Sequence, residues 1–109
     1  LKRFTGAERR MQVLATAPVT VIDDYAHHPS EIAVTLQAVR ERYPNRRVIA
    51  VFQPHLYSRT KDAYEEFAAA LDIADLVFVT DIYPAREQPI PGVSSARIGE
   101  KCERPVRYV

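Results

Sequence analysis

Tryptophan is absent from this chain, cysteine and methionine occur once each, and glycine occurs three times in 109 residues. Each scarcity excludes something. A single thiol, Cys102, cannot build an internal disulfide framework, and it fits a reducing, cytoplasmic compartment. Glycine is too sparse for a backbone that wraps a pyrophosphate tightly. Neither the G-x-x-x-x-G-K-S/T phosphate loop nor the G-x-G-x-x-G dinucleotide turn occurs. No apolar run approaches the roughly 18 residues that a membrane span needs, and no secretory signal is present. A surplus of one charge is missing as well. With 15 basic and 14 acidic residues the formal charge is +1, so no global field draws the chain to nucleic acid or to an anionic membrane. There is no starting methionine, and Val109 falls inside an apolar run. The expectation is a piece of a longer protein.

What is present suits one compact domain spanning 1–109, with 47% hydrophobic residues to build its core. Residues 9–15 alternate as a strand does, with Met11, Val13 and Ala15 on one face. A three-residue link at 16–18 leads to the β-branched run 19–22. A link so short permits only an antiparallel pair. From Pro29, a good first-turn residue, Ile32, Leu36, Val39 and Tyr43 recur at helical spacing, and Tyr43-Pro44-Asn45 stops the helix. Residues 48–52 are apolar throughout, as in a strand covered by helices on each side. A helix is expected from about 58–60, with Ala63, Phe67, Ala70, Leu71 and Ala74 on one stripe. A buried strand at 76–79, a proline-rich loop at 83–92, a short helix near 96–103 capped by Ser94 or Ser95, and a last strand from 106 complete the order. Alternating strands and helices predict an α/β fold. The expected form is Rossmann-like: a mostly parallel sheet with one antiparallel strand and helices on both faces.

Right-handed crossovers bring the carboxyl ends of parallel strands to one sheet edge, where ligands bind in open α/β folds. Three polar loops fall there: 23–29, 53–60 and 81–92. A hairpin closing at 16–18 would set Arg10 opposite Asp24. The edge then gathers Arg10, Asp23, Asp24, His27, His28, His55, Arg59, Asp81 and Arg86, a mixed-charge cluster suited to a polar, anionic ligand.

Each residue also has a plainer role open to it. Asp23 either joins the site or caps the next turn. His55 either bonds the backbone or meets a substrate. His27, His28 and His55 make a poor metal set, since adjacent histidines point apart and no Cys or Glu completes it. Arg59, near a helix start, is ill placed for the helix dipole, which favours an anion-holding role. Nothing near Cys102 marks a nucleophile. A phosphoacceptor receiver domain would need an aspartate where the third strand ends in Gln53. A stand-alone nucleotide-binding or regulatory module remains an alternative.

Three motifs then converge on one family. Asp23-Asp-Tyr-Ala-His-His-Pro-Ser-Glu-Ile32, Phe52-Gln-Pro-His-Leu-Tyr-Ser-Arg-Thr60 and Asp81-Ile-Tyr-Pro-Ala-Arg-Glu-Gln-Pro-Ile-Pro-Gly-Val-Ser94 resemble the C-terminal domain of the Mur ligases. The entry Gly6-Ala-Glu-Arg-Arg-Met-Gln12 fits the same start. The second motif resembles the alanine-adding branch more than the branch that recycles murein tripeptide. The resemblance implies an ATP-dependent, carbon–nitrogen bond-forming ligase of peptidoglycan synthesis. Such an enzyme phosphorylates the carboxylate of UDP-N-acetylmuramate and lets L-alanine attack the acyl phosphate. It implies that this chain is the third of three domains, inactive alone and without a catalytic residue of its own, with magnesium held mainly by the central domain. By position, Asp24 matches the carboxylate on the ATP ribose, and Arg10 an arginine on the same nucleotide. His28, His55, Arg59 and Arg86 match the amino-acid side, with Arg59 able to hold the alanine carboxylate. Leu56 stands where some members carry arginine.

Overall fold

The computed structural model describes residues 11–109. Its elements in chain order are β1 (Gln12–Ala15), β2 (Val21–Asp23), α1 (Pro29–Arg42), β3 (Ile49–Phe52), α2 (Tyr57–Lys61), α3 (Tyr64–Leu71), β4 (Leu76–Val79), α4 (Ala96–Lys101) and β5 (Val106–Tyr108). The α/β class is as expected. Strands β3, β4 and β5 form a parallel sheet in that spatial order, with Ile49 beside Leu76 and Phe52 beside Val79. The expected antiparallel pair is present too, since β1 runs against β2. It forms a two-stranded sheet of its own rather than an arm of the parallel one.

The register of that ribbon corrects one detail. Gln12 lies opposite Asp23, and the pairing slips between Val13 and Ala15. A bulge adds one residue to one strand and moves every later partner. Met11 therefore sits beside Asp24, where its N–H donates to Oδ2 at 2.9 Å. Arg10, expected at that place, lies outside the described residues.

The core is where the stripes meet. Ile32 and Leu36 of α1 join Phe67, Ala68, Ala70 and Leu71 of α3, Ile98 of α4, and Phe52, Val77 and Val79 of the sheet in one buried cluster. Phe52 and Phe67 pack with ring centroids 5.3 Å apart. α3 packs against both α1 and α4. Strand β3 is less covered than its apolar run predicts. It carries Ile49 and Val51 at 49% and 71% exposure, so its apolar run does not report burial on two sides. With β2 taken up by β1, β3 is an edge strand, and a groove of about 260 Å³ separates it from Ile22 and α1.

The helix expected across 58–74 is two helices. Thr60 is fully buried and turns its hydroxyl back to the Leu56 carbonyl at 2.8 Å. The Ala63 N–H closes on the Thr60 carbonyl, three residues back instead of four. That tightening ends α2, and α3 restarts with the stripe Phe67, Ala70 and Leu71 facing the core. Ala74 follows α3 in a turn and is still fully buried. Arg40 fastens the end of α1 to this turn, donating Nε to the Ile73 carbonyl at 2.9 Å and pairing with Asp75 at 2.8 Å.

Candidate functional site

The carboxyl ends of β3 and β4 do not part where the strands end. Thr80 N–H donates to the Phe52 carbonyl, Tyr83 N–H to that of Pro54, and Leu56 N–H to that of Tyr83. The Gln53 amide adds a bond to the Asp81 carbonyl at 3.1 Å. Segments 53–56 and 80–83 thus continue the parallel ladder as a ledge beyond the sheet. Leu56 at its tip has φ 74°, ψ 135°. A branched residue is strained there, and the bond from its N–H holds it.

The loop after β2 leans onto this ledge. The His27 ring lies 5.6 Å from His28 and 6.4 Å from His55, and His55 lies 5.5 Å from Tyr83. Glu31, in the first turn of α1, fixes the loop by accepting the N–H groups of His27 and His28 at 3.2 and 3.1 Å. Such a carboxylate satisfies amides that the helix start leaves unpaired. Asp24 is held with equal care. Besides Met11, the Ala26 N–H donates to its Oδ1 at 2.7 Å. The turn-capping role weighed for Asp23 therefore belongs to Asp24, while Asp23 ends β2 opposite Gln12. Both aspartates border the groove beside β3.

His28 and Arg59 share a shallow depression of about 310 Å³. Pro29, Leu56 and Ala63 form its apolar side, and Ser58 and Asp62 add polar groups. His55 stands next to it on the ledge. Arg86 lies one loop away, exposed on a turn that the Glu87 N–H closes onto the Pro84 carbonyl at 2.8 Å. Sequence spacing did not reveal what ties that turn to α2. The Glu87 carboxylate accepts the Ser58 hydroxyl on one oxygen and the Ser58 N–H on the other, at 3.1 Å for the latter. These bonds, the hydroxyl first, hold the Glu87 carboxyl below its ordinary range, and the nearby Arg59 charge acts in the same direction. Twenty-nine residues separate the partners, and no local motif announces a contact at that distance.

Among the described residues no group of three or more His, Cys, Asp or Glu could hold a metal ion. No helix among them is long and apolar enough to cross a membrane. Cys102 is half-buried, and burial raises its thiol to about 11. It is poorly suited to nucleophilic work at neutral pH.

The model of the Mur ligase, glutamate ligase domain matches residues 9–109. The chain belongs to the Mur ligase family. UDP-N-acetylmuramate–L-alanine ligase of Mycolicibacterium paratuberculosis is 56% identical across the whole of this chain, which spans 24% of that protein. The enzyme of the same name from Salinibacter ruber is 49% identical, again over all of this chain and 24% of its own length. A crystal structure of the UDP-N-acetylmuramate–alanine ligase of Thermotoga maritima superposes with a TM-score of 0.72 at 31% identity, covering 93% of this chain and 21% of that one. The chain thus spans about a quarter of the length of these relatives. All three edge loops, 23–29, 53–60 and 81–92, lie inside the matched span.

Proposed function

We propose that this chain is the C-terminal domain of an ATP-dependent ligase that joins L-alanine to UDP-N-acetylmuramate in the cytoplasm, a step of peptidoglycan precursor synthesis. The observation that carries the reading is likeness along the entire chain, through all three edge loops, to relatives bearing that activity in their names. The residues present fit part of a nucleotide and part of an amino acid. Asp24 offers a carboxylate oriented by backbone donors at the sheet edge, and a charged acceptor suits the vicinal hydroxyls of a ribose. In this reading the phosphates and magnesium are held mainly by another domain of the enzyme, as the family resemblance implies. When bound, magnesium neutralises charge developing on the transferred phosphoryl group.

The remaining task of this domain is to present the amine. In the depression shared by His28 and Arg59, the guanidinium takes the carboxylate of L-alanine, and Pro29, Leu56 and Ala63 face a small apolar side chain. His28 stands across from it and orients the amine, with His55 on the adjoining ledge. Arg10 and Arg86 take secondary positions in this scheme, Arg10 toward the nucleotide and Arg86 toward the amino acid. Positioning two reactants can supply several kcal/mol of a barrier.

The test is made in the full-length enzyme. Replacing Arg59 or His28 by alanine should leave acyl-phosphate formation largely intact and slow amide formation, by about tenfold or more. The measurement is the ratio of trapped acyl phosphate to amide in one preparation, against the parent. Equal loss of both steps would move these residues to domain closure or nucleotide binding.

A further inference from the structure

The ledge and α2 form two arms that start from one place. Leu56 and Tyr83 are joined by a backbone hydrogen bond, and Tyr83 is joined in turn to Pro54. From that junction one arm runs through Ser58 to Arg59, and the other runs through Pro84 to Arg86 and Glu87. The second arm doubles back through a turn in which Ala85 takes φ 54°. The tips then meet where the Ser58 N–H and hydroxyl both bond to the Glu87 carboxylate. Arg59 follows one partner in sequence and Arg86 precedes the other. Neither arginine forms an ion pair among the described residues. Glu87 spends its two oxygens on Ser58 and leaves both guanidinium groups to face solvent or ligand.

We propose that Glu87 is a positioning residue for the amino-acid subsite. By gripping Ser58 from the neighbouring loop it holds Arg59 against His28 and keeps Arg86 at a set separation from Arg59. This rests on the amino-acid reading of the depression given above. The contact is not needed merely to attach the loop, because the Leu56–Tyr83–Pro54 bonds already do that. Without it the two arms remain joined at one end and lose their relative orientation at the other. A carboxylate is needed because two donors, an N–H and an O–H, arrive at its two oxygens. A glutamine offers only one oxygen, and its NH2 group cannot accept the second donor.

Steady-state kinetics of the full-length enzyme test this, with Glu87→Ala, Glu87→Gln, Ser58→Ala and Arg59→Ala measured beside the parent. Expected is a rise of about five- to twentyfold in KM for L-alanine in Glu87→Ala, with a smaller rise in Glu87→Gln and in Ser58→Ala, which keeps the backbone donor. KM for ATP should stay within about twofold and Tm close to the parent's. Adding Glu87→Gln to Arg59→Ala should have little further effect, because the residue through which Glu87 acts is already gone. The proposal is overturned if the Glu87 variants leave KM for L-alanine unchanged while Arg59→Ala raises it. It is equally overturned if both KM values rise together in step with a falling Tm, which marks a general structural role. If Arg59→Ala itself leaves KM for L-alanine unchanged, the amino-acid reading fails at its root and this proposal falls with it.

Discussion

Asp75 shows how much one side chain can carry outside any functional site. One oxygen pairs with Arg40 and the other accepts the Val48 N–H at 2.8 Å, so a single carboxylate links α1, the start of β3 and the turn before β4. The hydrogen bond from Arg40, followed by that from Val48, lowers its pKa from 3.8 to about 2. The sign is that of a depressed acid. Its stabilisation is complete above the unfolded value and is lost as pH falls through the folded one. Asp75→Asn should therefore be less stable than the parent by about 1 kcal/mol near pH 7, a figure already reduced for solvent screening at a side chain one-third exposed. Urea titrations of both chains should show that difference shrinking from about pH 4 to pH 2. A difference that persists unchanged at pH 2 would place the effect elsewhere than in ionisation.

The elements are held at their ends by contacts that propensity scales do not contain. Helix α4 is a case in point. Gly99 lies in its interior, where glycine is unfavourable by about 1 kcal/mol relative to alanine, so propensity alone predicts that Gly99→Ala stabilises. The tertiary contact predicts the reverse. A Cβ at Gly99 would overlap the hydroxyl and Cζ of Tyr108, the ring that β5 lays across α4. Tyr108 also donates to the Ala96 carbonyl at 3.1 Å, and its displacement would break that bond. Gly99→Ala should cost a net of up to about 1 kcal/mol, since moving the half-exposed Tyr108 ring and losing its bond outweigh the helix gain, measured as a lower urea midpoint. A higher midpoint would mean that Tyr108 swings aside without penalty. The split between α2 and α3 follows the same logic. The Ala63 N–H closes on the Thr60 carbonyl three residues back, which ends α2 just beyond Arg59, and Arg59 borders the depression instead of the stripe of α3.

At the scale of the molecule, the chain spans about a quarter of the named ligases it resembles, and the proposed role is to present one substrate. Phosphoryl transfer needs cations and a metal placed around the phosphates, and the described residues supply neither a phosphate loop nor a metal cluster. The purified 109-residue chain is expected to show no ligase activity and no ATP hydrolysis. Product formation assayed by mass spectrometry checks this, and turnover in preparations free of full-length enzyme would refute the reading of the chain as a substrate-presenting domain. The open side of β3, with Ile49 and Val51 exposed, is part of the same picture: the parallel sheet stops at that edge.

Amino-acid order alone determined the alternation of elements, the antiparallel entry, the stripes that become the core and the gathering of three polar loops at one edge. These depend on local periodicity, on proline and capping chemistry, and on the handedness of crossovers, all of which are short-range or topological. It also carried the family motifs, so Asp24, His28, His55 and Arg59 could be singled out before any coordinate. What only the tertiary structure decided is of another kind. The bulge that puts Met11 beside Asp24, the withdrawal of β2 from β3, the break at Thr60 and the grip of Glu87 on Ser58 each join groups many residues apart or turn on one hydrogen bond against another. A periodic pattern counts apolar positions along one chain segment. It contains no term for a carboxylate that closes a loop 29 residues away, and the orientation of the arginines depends on that contact.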